Sequence, residues 1–216
     1  MQPVICMITA PLEAGDSAGA DSLVARIRAA ARAGVHLVQI RQPHLDARRL
    51  YALVEEARAM VDGTPTRVIV NDRVDVALEA RAHGVHLRGD SMPATRMRRL
   101  ARVPMLVGRS IHDREDAQRV AAAADLDYLI CGSVFPPRSK PAGTIAGVEA
   151  LREVCRAVAC PVLAIGGMTV DRLREVAGAG AAGFAAISLF ADPPPDHLSA
   201  VVRDARGAFD TPLSVP

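Results

Sequence analysis

Residues 161–169 read PVLAIGGMT: an aliphatic run stops at Gly166 and Gly167, and VDRLREVAGAG follows with apolar residues at helical spacing. A continuous apolar run bounded by glycine suits a strand covered on both faces, and the helix-period segment after it completes one strand–helix unit. Neither glycine carries a Cβ, so the backbone there can turn with positive φ or lie against a ligand.

The same unit recurs eight times. The candidate strands are VICMIT from Val4, HLVQIR from His36, RVIVND from Arg67, GVHLR from Gly84, MLVGRS from Met105, YLICGSVF from Tyr128, VLAIGG from Val162 and GFAAISLF from Gly183. Between them lie amphipathic segments such as SLVARIRAAARAG and DARRLYALVEEARAM, rich in good helix formers. Eight such units in 216 residues predict an α/β fold, a single (β/α)8 TIM barrel over residues 1–208, with 209–216 a frayed tail. No G-x-G-x-x-G follows the first strand, which counts against an open dinucleotide-binding sheet. GVHL occurs at Gly34 and at Gly84, but small residues recurring in turns explain this without a duplication.

Half of the residues are hydrophobic and only 3% aromatic, so the core is built from Val, Ile, Leu and Ala. With 26 basic against 24 acidic residues, no field exists to hold a polyanion, and nucleic acid is not an expected partner. Residues 1–11, MQPVICMITAP, have neither the charged start nor the apolar stretch of a secretory signal, and no segment is apolar for long enough to span a bilayer. A cytoplasmic protein free of the membrane is expected. Cys6, Cys131, Cys155 and Cys160 lack zinc-site spacing and read as free thiols. Ala-rich helices would permit a homodimer.

In such barrels the chemistry sits on loops after the strands, and a phosphate commonly binds after strands seven and eight. Gly166 and Gly167 end strand seven, and Ser188 is placed near the end of strand eight. In HLVQIR, alternation turns Val38 and Ile40 toward helices and Leu37, Gln39 and Arg41 into the barrel. A buried guanidinium needs an anion, so Arg41 either meets a substrate phosphate or pairs with Asp72. Asp72, which follows Asn71, either caps the next helix or takes a magnesium ion carrying a diphosphate. Ser110 is a helix cap or a donor to phosphate. Lys140, in the loop FPPRSKPAG, is a solvated surface residue or a clamp over the mouth. Of the histidines, His36 belongs to the barrel bottom, His44, His83 and His197 to outer surfaces, and His86 and His112 to the approaches of the mouth.

VIVNDRVDVAL, GVHLRGDSMP, VGRSIH, VFPPRSK and VLAIGGMTVDRLREVAGAGAAGFAAISLF, in that order, resemble the thiamine-phosphate synthase and TenI family of phosphate-binding barrels. In the synthase branch, a thiazole phosphate is joined to a pyrimidine diphosphate with loss of magnesium-bound diphosphate. The resemblance implies thiazole-phosphate contacts from Gly167, Ile187 and Ser188, with Gly166 beside them. It implies pyrimidine or diphosphate contacts from Gln39, Arg41, Asn71, Ser110, Ser139 and Lys140, and Asp72 as a Mg2+ ligand.

This chain departs from the synthase pattern at three points. Pro43 stands where those enzymes carry a lysine, Ser91 where they carry a second acid (with Asp90 next to it), and Pro137 where they carry a threonine. VGRSIHDREDA and IGGMTVDRLREV look closer to the TenI branch, which isomerises a thiazole phosphate and needs no metal. There, however, Ser133 replaces a proton-transfer histidine, with His112, His86 or Cys131 as substitutes. The expected protein is therefore a TenI-like isomerase that binds a thiazole or thiamine phosphate, with Ser133, Arg41 and Lys140 as its catalytic candidates. The alternatives are a synthase using Mg2+, with Asp72 and Asp90 as its ligands, and a non-catalytic sensor of thiazole or thiamine phosphate.

Overall fold

Parallel strands β1 (Val4–Ile8), β2 (Leu37–Ile40), β3 (Arg67–Asn71), β4 (Gly84–Leu87), β5 (Leu106–Ile111), β6 (Tyr128–Gly132), β7 (Val162–Ile165) and β8 (Gly183–Ala186) pair in sequence order. β8 returns to β1, with Val4 opposite Gly183 and Met7 opposite Ala186, so the sheet is a closed barrel. The computed structural model describes residues 2–13, 17–101, 103–122, 125–136 and 145–210. Helices α1 (Ser17–Arg32), α2 (Ala47–Val61), α3 (Val74–Glu79), α4 (Ala94–Leu100), α5 (Arg114–Ala121), α6 (Gly147–Ala157) and α7 (Leu173–Gly178) follow the first seven strands. A short α8 (Ser188–Ala191) and a long α9 (Leu198–Asp210) follow the eighth.

The strand alternation divides the core into two layers. Cys6, Ile8, Leu37, Ile69, Ile130, Leu163 and Ala185 fill the barrel around Tyr128. Ile5, Met7, Val38, Ile40, Val68 and Val70 face outward against the helices. Leu37 and Val38 thus take the faces that HLVQIR predicts. Tyr128 owes its place in the barrel to Gly108, where any Cβ would overlap the phenol ring.

The bottom of the barrel repeats one device. His36 Nδ1 accepts the Ile5 N–H at 3.1 Å, His83 Nδ1 accepts the Val68 N–H at 3.0 Å, and the Asp127 carboxylate accepts the Val107 N–H at 2.6 Å. Each acceptor immediately precedes an even-numbered strand and satisfies an amide of the strand before it. His83 is therefore half-buried beneath the barrel rather than on an outer surface. His36 lies before β2 whereas His86 lies within β4, so the two GVHL pieces are not equivalent and no duplication is needed.

Two strands stop short of their apolar runs. YLICGSVF leaves the sheet after Gly132, and GFAAISLF turns into α8, so Ser188 opens a helix instead of closing a strand. α9 continues to Asp210 and buries Phe209 against Phe184, two residues into the expected tail; residues 211–216 lie outside the described ones. Among the described residues no helix is long and apolar enough to cross a membrane.

Candidate active site

The C-terminal ends of the strands surround a cavity of about 1650 Å³. Single-ligand pockets commonly measure about 300–1000 Å³, so this one has room for two small substrates. Its floor is polar and uncharged. Gln39, His86 and Ser110 line it from β2, β4 and β5, and His86 Nε2 lies 2.8 Å from the Ser110 hydroxyl. The His86 ring stacks on Tyr128 at 5.6 Å. Burial, with a smaller push from the Arg109 charge, holds the imidazole pKa down to about 3, so the ring is neutral. Gln39 Nε2 and His86 Nδ1 are buried without a hydrogen-bond partner among the described residues, the kind of unmet polar atom that marks a functional site more often than a core.

A charged corner lies beyond β2, β3 and β4. Asp72 has φ +62°, and its carboxylate accepts a short hydrogen bond from the Ser91 hydroxyl. Its other oxygen lies 3.8 Å from Arg88, whose guanidinium is 2.9 Å from Asp90. Asp72 caps nothing: Arg73 precedes α3 and makes no side-chain cap bond. Nor does Asp72 pair with Arg41, which is exposed at the rim rather than buried. Among the described residues only the backbone of Arg41 is fixed, its N–H donating to Thr9 Oγ1 at 2.9 Å while Gln42 Nε2 donates to the same oxygen at 3.0 Å. Asn71 also lines the cavity here. Ser110 does not cap α5, a role taken by Asp113.

Two further arginines, neither among the residues expected from the sequence, shape this corner. Arg88 enters the cavity wall one residue beyond β4. Arg109, on β5, is buried and donates to the carbonyls of Met92 (2.9 Å), Gly89 (2.7 Å) and Ser91 (3.1 Å), clamping the β4–α4 loop from behind. Its signal was available, since alternation in LVGRSI turns a guanidinium toward the helix layer, where it must find acceptors.

The opposite corner is made of backbone. Gly166 and Gly167 have φ +102° and +57°. The Val134 N–H donates to Ile165 O at 2.8 Å and the Phe135 N–H to Gly166 O at 3.2 Å, so the strand-six loop lies directly on the end of β7. A Cβ at Gly166 would meet Ser133 at 2.7 Å, and one at Gly167 would meet the Pro136 carbonyl at 2.5 Å. Arg172 braces the turn, donating to Gly167 O at 2.6 Å and lying 4.8 Å above the Phe135 ring. Across from it α8 begins at Ser188; the Phe190 and Ala191 amides donate to Ile187 O at 3.0 and 2.9 Å, which leaves the Ser188 and Leu189 amides without a helical acceptor. Gly166, Gly167, Ile187 and Ser188 line the same end of the cavity.

Near Ser133, Cys131 faces the helices and its buried thiol is pushed up to about 12. His86 is held neutral on the floor. His112 is exposed, lines the cavity and lies 3.2 Å from Gly132 O, next to Ser133. Ser139, Lys140 and Pro137 lie outside the described residues. No group of three or more His, Cys, Asp or Glu among the described residues could hold a metal by itself. Asp72, on the cavity wall with Asp90 nearby, still fits Mg2+, which takes most of its ligands from phosphates and water.

Residues 6–190 match the family model described as thiamine monophosphate synthase. The chain belongs to that family. A putative thiamine-phosphate synthase of Geobacter sulfurreducens is 40% identical over 180 residues, covering 82% of this chain and 84% of the relative. The thiamine-phosphate synthase of Roseiflexus castenholzii is 39% identical over 190 residues, covering 87% and 83%. Among solved structures, a thiamine phosphate pyrophosphorylase from Pyrococcus furiosus superposes with a TM-score of 0.80 at 28% identity, covering 96% of this chain and 98% of that one. Membership of the thiamine monophosphate synthase family agrees with the resemblance in the strand-end motifs, and the relatives' names are those of the synthase branch.

Proposed function

We propose that the protein is a cytoplasmic thiamine-phosphate synthase, joining a thiazole phosphate to hydroxymethylpyrimidine diphosphate. The observation that carries this is the two-ended cavity: a backbone-amide corner at β7 and α8, a charged corner at Asp72 and Arg88, and a neutral polar floor between them. An isomerase acting on one thiazole phosphate needs only the first corner and a base. The names of the family relatives support the synthase over the TenI-like isomerase favoured by the sequence wording.

In the proposed reaction the thiazole ring nitrogen bonds to the pyrimidine methylene as the methylene–oxygen bond breaks and diphosphate leaves with the electron pair. Gly167, Ile187 and Ser188 hold the thiazole phosphate through amides and a hydroxyl. Gln39, His86 and Ser110 seat the pyrimidine, and the neutral imidazole takes no proton from it. Asp72 would hold Mg2+, which neutralises charge building on the leaving diphosphate. Holding two reactants in one enclosure supplies much of the rate.

The test is incubation of both substrates with Mg2+, following thiamine phosphate and diphosphate together. Equimolar formation is expected. Isomerisation of a thiazole phosphate without coupling would instead favour the tautomerase, with His112 beside Ser133 as its base; binding without either turnover would favour a sensor.

A further inference from the structure

Three consecutive strands of the barrel, β2, β3 and β4, are each followed at once by a charged residue that lines the cavity: Arg41, then Asp72, then Arg88. The two guanidinium groups thus flank the carboxylate expected to take the metal. Arg41 has no carboxylate partner among the described residues, whereas Arg88 is held between Asp90 at 2.9 Å and Asp72 at 3.8 Å. The loop carrying Arg88 is fixed from below by the three Arg109 bonds. On the other side, Pro43, two residues beyond Arg41, lines the cavity without a charge.

We propose that Arg88 is a diphosphate-binding residue, supplying positive charge from the end of β4 beside Asp72 and giving the site an affinity for diphosphate that does not require Mg2+. This rests on the proposed synthase function. A guanidinium presents a planar fork of donors that matches two phosphate oxygens, and exchanging the Asp90 carboxylate for a diphosphate replaces one anion by a more highly charged one. Arg88 is more than half exposed, so the exchange needs little desolvation. Asp72 then stands between two ligand-bound arginines, free to hold the metal when it is present. The contact would also shift the pyrimidine diphosphate toward β4.

Calorimetry with inorganic diphosphate, in EDTA and in Mg2+, tests the assignment without any turnover. The wild-type protein is expected to bind in both media. Arg88→Ala should weaken binding in EDTA about tenfold to a hundredfold, the loss of one charge-assisted contact, and weaken it less in Mg2+. Arg88→Lys should fall between them. Asp90→Asn, which releases Arg88 from its ion pair, should tighten binding in EDTA. If the wild-type protein binds only with Mg2+ and Arg88→Ala binds identically, the assignment is overturned while the synthase function stands. If diphosphate binds in neither medium, both fall.

Discussion

Gly166 lies so close to Ser133 that an alanine Cβ in its place would stand 2.7 Å from both the Cα and the Cβ of that serine. The strand-six loop and the end of β7 are therefore one packed unit, and the glycine that sets this packing also lines the cavity. Gly166→Ala combines a positive φ of 102° with this overlap, and is expected to cost about 2–4 kcal/mol of stability. Binding of thiazole phosphate should weaken at the same time. Thermal unfolding and calorimetry check this; an alanine variant with unchanged melting temperature would refute the packing argument.

Three histidines with lowered pKa values should make the fold acid-sensitive. Burial, then Arg206, lowers the His36 pKa; burial, then Arg67 and Arg58, lowers that of His83; and burial, then Arg109, brings His86 to about 3. All three are below the ordinary 6.5, so the unfolded chain binds more protons in the window beneath it and stability rises with pH there. The contribution is complete above pH 6.5 and is lost as pH falls, with His86 still acting toward pH 3. Urea denaturation at pH 7.5, 6 and 5 should show this decline, and His86→Gln should flatten it. An unchanged slope in that variant would mean that the buried imidazole is not the group involved.

How far the sequence discloses this architecture depends on the kind of residue. Each strand begins within one residue of its aliphatic run, because strands covered on both faces must be continuously apolar. The inward placement of Leu37 and Gln39 follows from strict alternation. Where an apolar run changes conformation without changing composition, as at Ser188, periodicity is silent. Arg41 illustrates a second limit: alternation gives the direction of a side chain but not whether the strand end is already in solvent. Arg88 and Asp72 show a third, since partners brought together by neighbouring strand ends leave no local pattern. The clamp from Arg109 was legible in principle, because a charge on a helix-facing strand position demands acceptors.

Those acceptors give the next prediction. Arg109→Met leaves the carbonyls of Gly89, Ser91 and Met92 without their donor and should destabilise the protein by about 2–4 kcal/mol. Arg109→Lys keeps the charge but cannot span three acceptors, so a smaller loss is expected. In the lysine variant, amide exchange across residues 88–92 should quicken while the bottom of the barrel stays protected. The KM for pyrimidine diphosphate should rise more than kcat falls. Uniform exchange across the barrel would show that Arg109 supports the fold generally and not this loop.

Asp72 combines an unusual backbone with the charge expected to hold Mg2+. At φ +62°, asparagine is the substitution the backbone accepts most readily, and its amide oxygen can still receive the Ser91 hydroxyl. Asp72→Asn should therefore retain stability and thiazole-phosphate affinity while losing about a hundredfold or more in coupling rate, as for removal of a major electrostatic contact in a transition state. Asp72→Ala should lose rate similarly but also lose stability, because alanine has neither the side-chain acceptor nor the tolerance for positive φ. Steady-state coupling assays with titrated Mg2+, paired with thermal unfolding, separate the two effects. Full activity in the asparagine variant at ordinary Mg2+ would remove Asp72 from the metal's coordination and leave diphosphate departure to the arginines on either side.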